Sequence, residues 1–133
     1  MAVTATPIFV QAPKILGVAA ISTANTNRDG SGTLGTIVTG STNGDKIEHI
    51  DIAATGTTTA GVIRLYIYNG ATAFLWKEIL VDAITPSATV KVWSYTIDCS
   101  VPANCLFLQS GYLLKASTHN AETFNVSAHG GSY

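Results

Sequence analysis

Residues 58–81, TTAGVIRLYIYNGATAFLWKEILV, decide the fold class of this chain. Two arms rich in apolar, aromatic and β-branched residues flank Asn69-Gly70, and side chains two apart on a strand share one face. Asn and Gly both tolerate positive φ, which a two-residue type I′ turn needs at its two central positions. Arg64 and Glu78 each interrupt an otherwise apolar or aromatic row. The stretch predicts a β-hairpin with its turn at Asn69-Gly70, one face in a core and the other partly solvated.

The rest of the chain continues this pattern of short strands between turn residues. About nine strands at intervals of roughly ten residues, with no helical period, indicate an all-β sandwich or barrel. Eight main strands and an arm suit a jelly roll. We predict a jelly-roll-like antiparallel β-sandwich with an extended N-terminal arm at residues 1–13 and one domain at residues 14–133. Besides the two hairpin arms, the predicted strands are residues 14–24, 34–39, 46–54, 89–97, 106–108, 112–117 and 123–129.

The N-terminal arm holds an apolar segment between two prolines, Pro7 and Pro13. Proline favours an extended backbone on both of its sides. An isolated extended arm cannot cover Ile8, Phe9 and Val10, so they need either the chain's own sheet edge or a neighbouring subunit. We expect these three residues to form an oligomer contact.

Composition limits the classes of function. Of 133 residues, 47% are apolar and only 11% are charged, against about 25% in an ordinary globular protein. This deficit fits a subunit covered by neighbours, and it also fits a neutral β-domain whose threonines occupy strands and turns. The net charge of −1 gives no footprint for nucleic acid, and no apolar run reaches the ~20 residues of a membrane span.

The chain's first residues lack the positively charged segment of a signal peptide, so we expect synthesis in the cytosol. In a reducing compartment Cys99 and Cys105 would be thiols, although their spacing permits a bridge.

Two stretches could hold a metal ion. Asn25, Asn27, Asp29 and Gly30 match part of a calcium-loop pattern, but one acid is too few, and such residues are common in plain turns. His49 and Asp51 share a strand face with Ile47, and Glu48 lies beside them in the chain. His119 and His129 form no recognisable spacing with them, so a surface or interface polar pair is the favoured interpretation.

The sequence contains no recognisable catalytic motif, and its candidate catalytic carboxylates occur singly. There is no nucleophile elbow, phosphate-binding loop or zinc-protease motif, and Glu78 and Glu122 are not nominated as a facing catalytic pair. We therefore predict no enzyme activity, no catalytic residue, no cofactor and no metal. The aromatic residues could form a sugar-stacking platform, but a core or subunit contact is favoured; they are Tyr66, Tyr68, Phe74, Trp76, Trp93, Tyr95 and Tyr112.

Four segments together resemble small virion structural proteins of tailed bacteriophages, in particular head decoration or cement proteins with a jelly-roll fold. They are TPIFVQAPK (6–14), GDKIEHIDIAATGTTTAGVIRLYIYNG (44–70), LWKEILV (75–81) and LLKASTHNAETFNVSAHGGSY (113–133). The resemblance implies a homotrimer or homodimer on the capsid surface, bound to the major capsid protein and reinforcing the shell. Ile8, Phe9 and Val10 then become candidate capsid contacts.

The alternative is a virion-associated receptor- or glycan-binding jelly-roll module, or another tail or baseplate structural protein. A stand-alone enzyme ranks third.

Overall fold

The computed structural model describes residue 10, residues 12–99, residue 101 and residues 106–133. These residues form nine β-strands and no helix, so none could cross a lipid bilayer as a helix. The strands are β1 (Ala12–Ile21), β2 (Gly35–Thr39), β3 (Asp45–Ala54), β4 (Gly61–Tyr68), β5 (Ala73–Val81), β6 (Ser94–Asp98), β7 (Leu106–Leu108), β8 (Leu113–Thr118) and β9 (Phe124–Ser132).

The strands build two antiparallel sheets. One has the order β1-β9-β3-β6, with β7 beside the first part of β3, and the other has the order β2-β8-β4-β5. The pairs are nested: β4 with β5 innermost, then β3 with β6, β2 with β8, and β1 with β9. A hairpin folded over itself in this way is a jelly roll, and the predicted jelly-roll-like β-sandwich is confirmed.

The core lies between the two sheets and is mainly aliphatic. At its centre are side chains with no exposed surface, and burial of each contributes about 1.5–3 kcal/mol. These include Ile47, Ile50, Ile63, Leu65, Leu114 and Val126. Trp93 closes one side of the core and meets the Phe124 ring edge-on at 5.8 Å.

The central hairpin is present, but the type I′ turn is wrong. Tyr68 pairs with Ala73, so the loop has four residues, 69–72. Gly70 has a φ of 95°, whereas no non-glycine residue of the described chain has positive φ. The reason is the Asn69 side chain, whose Oδ1 accepts hydrogen bonds from the N–H groups of Ala71 (3.0 Å) and Thr72 (2.8 Å). This Asx arrangement holds a wider loop.

The expected partly wet face of β4 is also different. Arg64 and Tyr66 have no exposed surface, as do Ile63 and Leu65 on the opposite face. Residues 22–34 lie over the outer face of β4 and supply the cover that the strand pattern did not indicate.

Two other predictions need correction. Ile47 was placed on the face of His49 and Asp51, but a bulge at Glu48 turns it into the core. Residues 89–93 are not a strand, because Ser87 closes a turn: its N–H donates to the Val90 carbonyl (2.9 Å) and its hydroxyl accepts from the Val90 N–H (3.2 Å).

The division into an arm (1–13) and a domain (14–133) stays a prediction, since residues 1–9 and 11 lie outside the described ones. Ala12 and Pro13 already belong to β1, where they pair with Ser132 and Gly131. Pro13 is tolerated there because β1 is an edge strand, where a missing N–H need not break a ladder.

Candidate functional site

The edges of the two sheets carry most of the exposed large apolar side chains of the described residues. They are Ile15 and Val18 on β1, Phe74, Leu75 and Leu80 on β5, Tyr95 on β6 and Phe107 on β7; Val90 and Val101 lie in loops. Val18 is 62% exposed and Leu80 is 78% exposed. Edge strands offer unpaired backbone groups to another chain, and apolar side chains there add a favourable burial term. These edges therefore suit contacts with protein partners.

Of the three predicted contact residues of the arm, only Val10 is described; Ile8 and Phe9 lie outside the described residues. Val10 is half-buried, and its Cγ1 lies where a Cβ on Gly131 would stand. Gly131 thus leaves room for Val10 against the chain's own β9. At Val10 the arm therefore packs against the chain's own sheet, which is one of the two surfaces expected for it; the other is a neighbouring subunit.

The loop of residues 22–34 uses its polar groups internally. The Asn25 side-chain amide donates to the Ser31 and Thr33 carbonyls, both at 3.0 Å, and its Oδ1 accepts from the Asn27 N–H. Hydrogen bonds from the Ser31 hydroxyl and then its N–H lower the pKa of the Asp29 carboxyl. These polar groups are engaged in hydrogen bonds within the loop, which favours the plain Asx-rich loop over a calcium site.

Beneath this loop lies a network around Arg64. Its Nη1 donates to the Asn25 carbonyl (3.1 Å), and its Nη2 donates to His119 Nδ1 (3.2 Å). Arg64 Nε lies 3.2 Å from Glu78 Oε2 as an ion pair without an aligned hydrogen bond. The exposed Arg28 donates to both Glu78 oxygens at 3.0 and 3.1 Å. Glu78 thereby links a buried and an exposed arginine and holds the loop on the sheet.

The remaining candidates occupy separate structural positions. Glu122 Oε2 accepts from the N–H and hydroxyl of Thr59, whereas Glu78 on β5 is engaged with Arg28 and Arg64. Trp93 and Tyr66 are buried and cannot serve as sugar platforms. Cys99 is buried with its Sγ 3.9 Å from the Ile97 carbonyl oxygen, while Cys105 lies outside the described residues, so the predicted thiol state stays a prediction.

His129 is the residue that the sequence did not connect with His49 and Asp51. It lies on β9 directly opposite His49 on β3. The two imidazole rings stack at 4.4 Å with an interplanar angle of 8°. Asp51 Oδ2 lies 3.4 Å from His49 Nε2 and 3.5 Å from His129 Nε2. The expected polar pair is therefore a three-residue cluster on the outer face of its sheet.

Comparisons with known proteins show that the chain is similar to solved structures, but they match it to no sequence family. No family model matches the chain, and no curated protein sequence matches it. Two similar solved structures are pentameric capsid proteins isolated from metagenomic phage sequences. One is 13% identical, with 99% of this chain and 82% of that chain covered and a TM-score of 0.44. The other is 14% identical, with 99% and 80% covered and a TM-score of 0.44.

One signal for the missed histidine was available in the sequence. Once β3 and β9 are assumed to be neighbours, residues 49 and 129 can be opposed with both side chains on the polar face. The sequence gives no independent reason to choose that neighbour, because strand order is not encoded in period-two patterns.

Proposed function

We propose that this protein is a structural component of a tailed-phage virion, a decoration or cement protein that binds the outer surface of the capsid and stabilises it. The observation that carries the proposal is the set of exposed apolar side chains on the sheet edges, above all Val18 and Leu80. Monomeric proteins usually cover or charge such edges. Their partners here would be further copies of the chain, as a homotrimer or homodimer, and the major capsid protein.

The charge distribution supports the same role. Lys14 is the only charged residue in β1. In β5 Glu78 is engaged with Arg28 and Arg64, so Lys77 is the only other charged side chain there. A sheet edge with so little charge can dock on another protein without desolvating many ions. The resemblance of segments 6–14, 44–70, 75–81 and 113–133 to decoration proteins adds the capsid as the partner. The protein would act in the virion after synthesis in the host bacterial cytoplasm, without enzymatic activity.

A receptor- or glycan-binding module is the second candidate, and no described cluster of exposed aromatic rings favours it. Tyr95 is 48% exposed, but its stacking partner Trp93, 6.3 Å away, is buried. A sugar platform would need accessible ring faces.

The test measures assembly and capsid binding of edge variants. Leu80→Lys and Val18→Lys should each lower occupancy on particles that lack the native copy about 10- to 100-fold, the fold-change equivalent to one lost buried aliphatic side chain. Ala88→Lys, at an exposed loop position, is the matched control and should bind normally. Circular dichroism melting checks that each variant is folded. If the unchanged protein is monomeric by light scattering and does not bind particles, the proposal fails. If it binds and both edge variants bind equally well, the edges are not the contact.

A further inference from the structure

The histidine cluster on the outer face of the β1-β9-β3-β6 sheet has the composition of a metal site. Among the described residues, His49, Asp51 and His129 are the group of metal-ligating side chains whose donor atoms all lie within 4.8 Å of one another. The sheet register fixes this grouping: His49 faces His129 across the β3–β9 pair, and Asp51 is two residues further along β3 on the same face. All three side chains keep solvent access, with 42%, 43% and 29% of their surfaces exposed for His49, Asp51 and His129.

Two of the three distances between the ligand atoms match those of a tetrahedral metal centre. Ligand atoms about 2.0–2.1 Å from a zinc ion in tetrahedral geometry are about 3.4 Å from one another. Asp51 Oδ2 lies 3.4 and 3.5 Å from the two Nε2 atoms. Because the two rings stack almost in parallel, each must turn about χ2 to aim its nitrogen at a shared ion. That torsion has a broad energy profile in histidine, and both side chains are partly exposed to solvent.

Two neighbouring hydroxyl groups contact the cluster, one at the Asp51 carboxylate and one at the His129 ring. The Thr96 hydroxyl, on β6, donates to Asp51 Oδ1 at 2.7 Å, which leaves Oδ2 facing the two imidazoles. Such outer partners orient metal ligands and raise affinity. The Ser127 hydroxyl lies 3.0 Å from His129 Nε2, so it occupies that nitrogen when no ion is bound and would be displaced by one.

We propose that His49, Asp51 and His129 bind a divalent ion of the borderline class, zinc in the first instance. Two imidazole nitrogens and one carboxylate oxygen suit zinc and its late first-row neighbours, whereas calcium and magnesium favour oxygen ligands alone. Three protein ligands leave the fourth position open on the outer face of the sheet. The site is independent of the capsid contacts, which lie on the sheet edges.

The test uses the purified full-length protein with the metal alone as probe. Isothermal titration with zinc chloride should show one saturable site per chain, and cobalt(II) should give the intense visible absorption of a tetrahedral ion with nitrogen and oxygen ligands. His129→Gln and Asp51→Asn should each weaken zinc binding at least tenfold. Thr96→Val, which removes only the orienting hydrogen bond, should weaken it about tenfold. Binding should also weaken towards acid pH, because protons compete for the imidazole nitrogens.

Controls separate this site from other donors in the chain. Asn125→Ala, on the same strand as His129 and exposed, should leave the zinc affinity unchanged. The double variant His49→Gln/His129→Gln should lose the site altogether, while its melting curve shows that the sandwich remains folded. Zinc binding that survives in the double variant, or a cobalt spectrum with the strong near-ultraviolet band of thiolate ligands, would assign the metal to other residues and overturn the proposal. The absence of saturable binding in the unchanged protein would overturn it as well.

Discussion

Arg64 has no exposed surface, yet it brings a positive charge into the middle of β4. The sequence identifies Arg64 and Glu78 as interruptions of apolar rows, but their pairing depends on the exact register. A two-residue turn would place Arg64 opposite Leu75. The four-residue loop and one bulge between Leu65 and Tyr66 shift the pairing by three residues, to Glu78. The sequence shows a basic residue on one arm of the hairpin and an acidic residue on the other. It does not show that these two residues face each other.

Replacing the buried arginine should be costly. Arg64→Met removes the donors to Asn25 and His119 and leaves Glu78 with only the exposed Arg28. Hydrogen bonds from a charged group are each worth about 1.5–3 kcal/mol. We expect a loss of about 2–3 kcal/mol, because Glu78 is one-third exposed and keeps Arg28. Arg28→Met removes an exposed partner and should cost under about 1 kcal/mol. Urea unfolding of both variants measures the difference, and equal losses would show that burial of Arg64 is unimportant.

Gly70 is required by backbone conformation rather than by space. Its φ is 95°, and an added Cβ would meet only the Gly111 carbonyl oxygen at an ordinary 3.6 Å. Gly70→Ala should therefore destabilise by about 1 kcal/mol through backbone strain, and Gly70→Asn by less, because Asn tolerates left-handed φ. Gly56→Ala, where nothing lies within 4 Å and φ is not positive, is the control and should be near neutral. Thermal melting measures the three variants. A Gly70→Ala variant as stable as Gly56→Ala would contradict the prediction.

At the scale of elements, strand existence was predictable and strand faces were not. Register shifts occur at Leu16 in β1, at Glu48 in β3 and at Trp76 in β5, and each reverses the inward and outward sides beyond it. Period-two reasoning has no term for an inserted residue, which is why Ile47 was assigned to the wrong face. The bulge in β1 lies at Leu16, directly before Gly17, and a glycine within a strand often accompanies a bulge.

The bulge in β1 brings its backbone against the other sheet. A Cβ at Gly17 would lie far inside van der Waals contact with the carbonyl oxygen of Ile37 in β2. Gly17→Ala should destabilise the fold by about 1–3 kcal/mol, because backbone atoms of both sheets would have to separate. Gly56→Ala again serves as the control. If Gly17→Ala melts at the temperature of the unchanged protein, the two strands are not in this close contact in solution.

At the scale of the whole molecule, the strand order brings together residues that the sequence separates. β3 and β9 place His49 beside His129, and the nested pairing places β1 next to β9. Local patterns indicate how many strands exist and where the turns fall, but many pairings of nine strands satisfy the same patterns. Strand count and resemblance therefore suggested the jelly roll, whereas the sequence indicated only His49 and Asp51 of the histidine cluster and not His129.

Truncation of the arm tests its role without damaging the sandwich. Because β1 begins at Ala12 and Val10 packs on Gly131, the deletion should span residues 2–9 and stop before Val10. We expect the truncated chain to melt within a few degrees of the full chain and to assemble or bind capsids at least tenfold less well, since Ile8 and Phe9 are lost. Light scattering and particle occupancy are the measurements. Normal assembly and decoration by the truncated chain would show that the arm has no such role.

The position of β9 between β1 and β3 constrains when the protein can fold. β9 is the last of the nine strands to be synthesised, yet it joins two strands made much earlier. On the ribosome, β1 and β3 must wait without the strand between them until residue 132 has emerged. Contacts between residues so far apart in sequence form slowly, and half-built sheets on neighbouring nascent chains can pair with one another. The β1-β9-β3-β6 sheet can therefore close only after β9 has been made, and the exposure of β1 and β3 to misassembly is greatest just before that point.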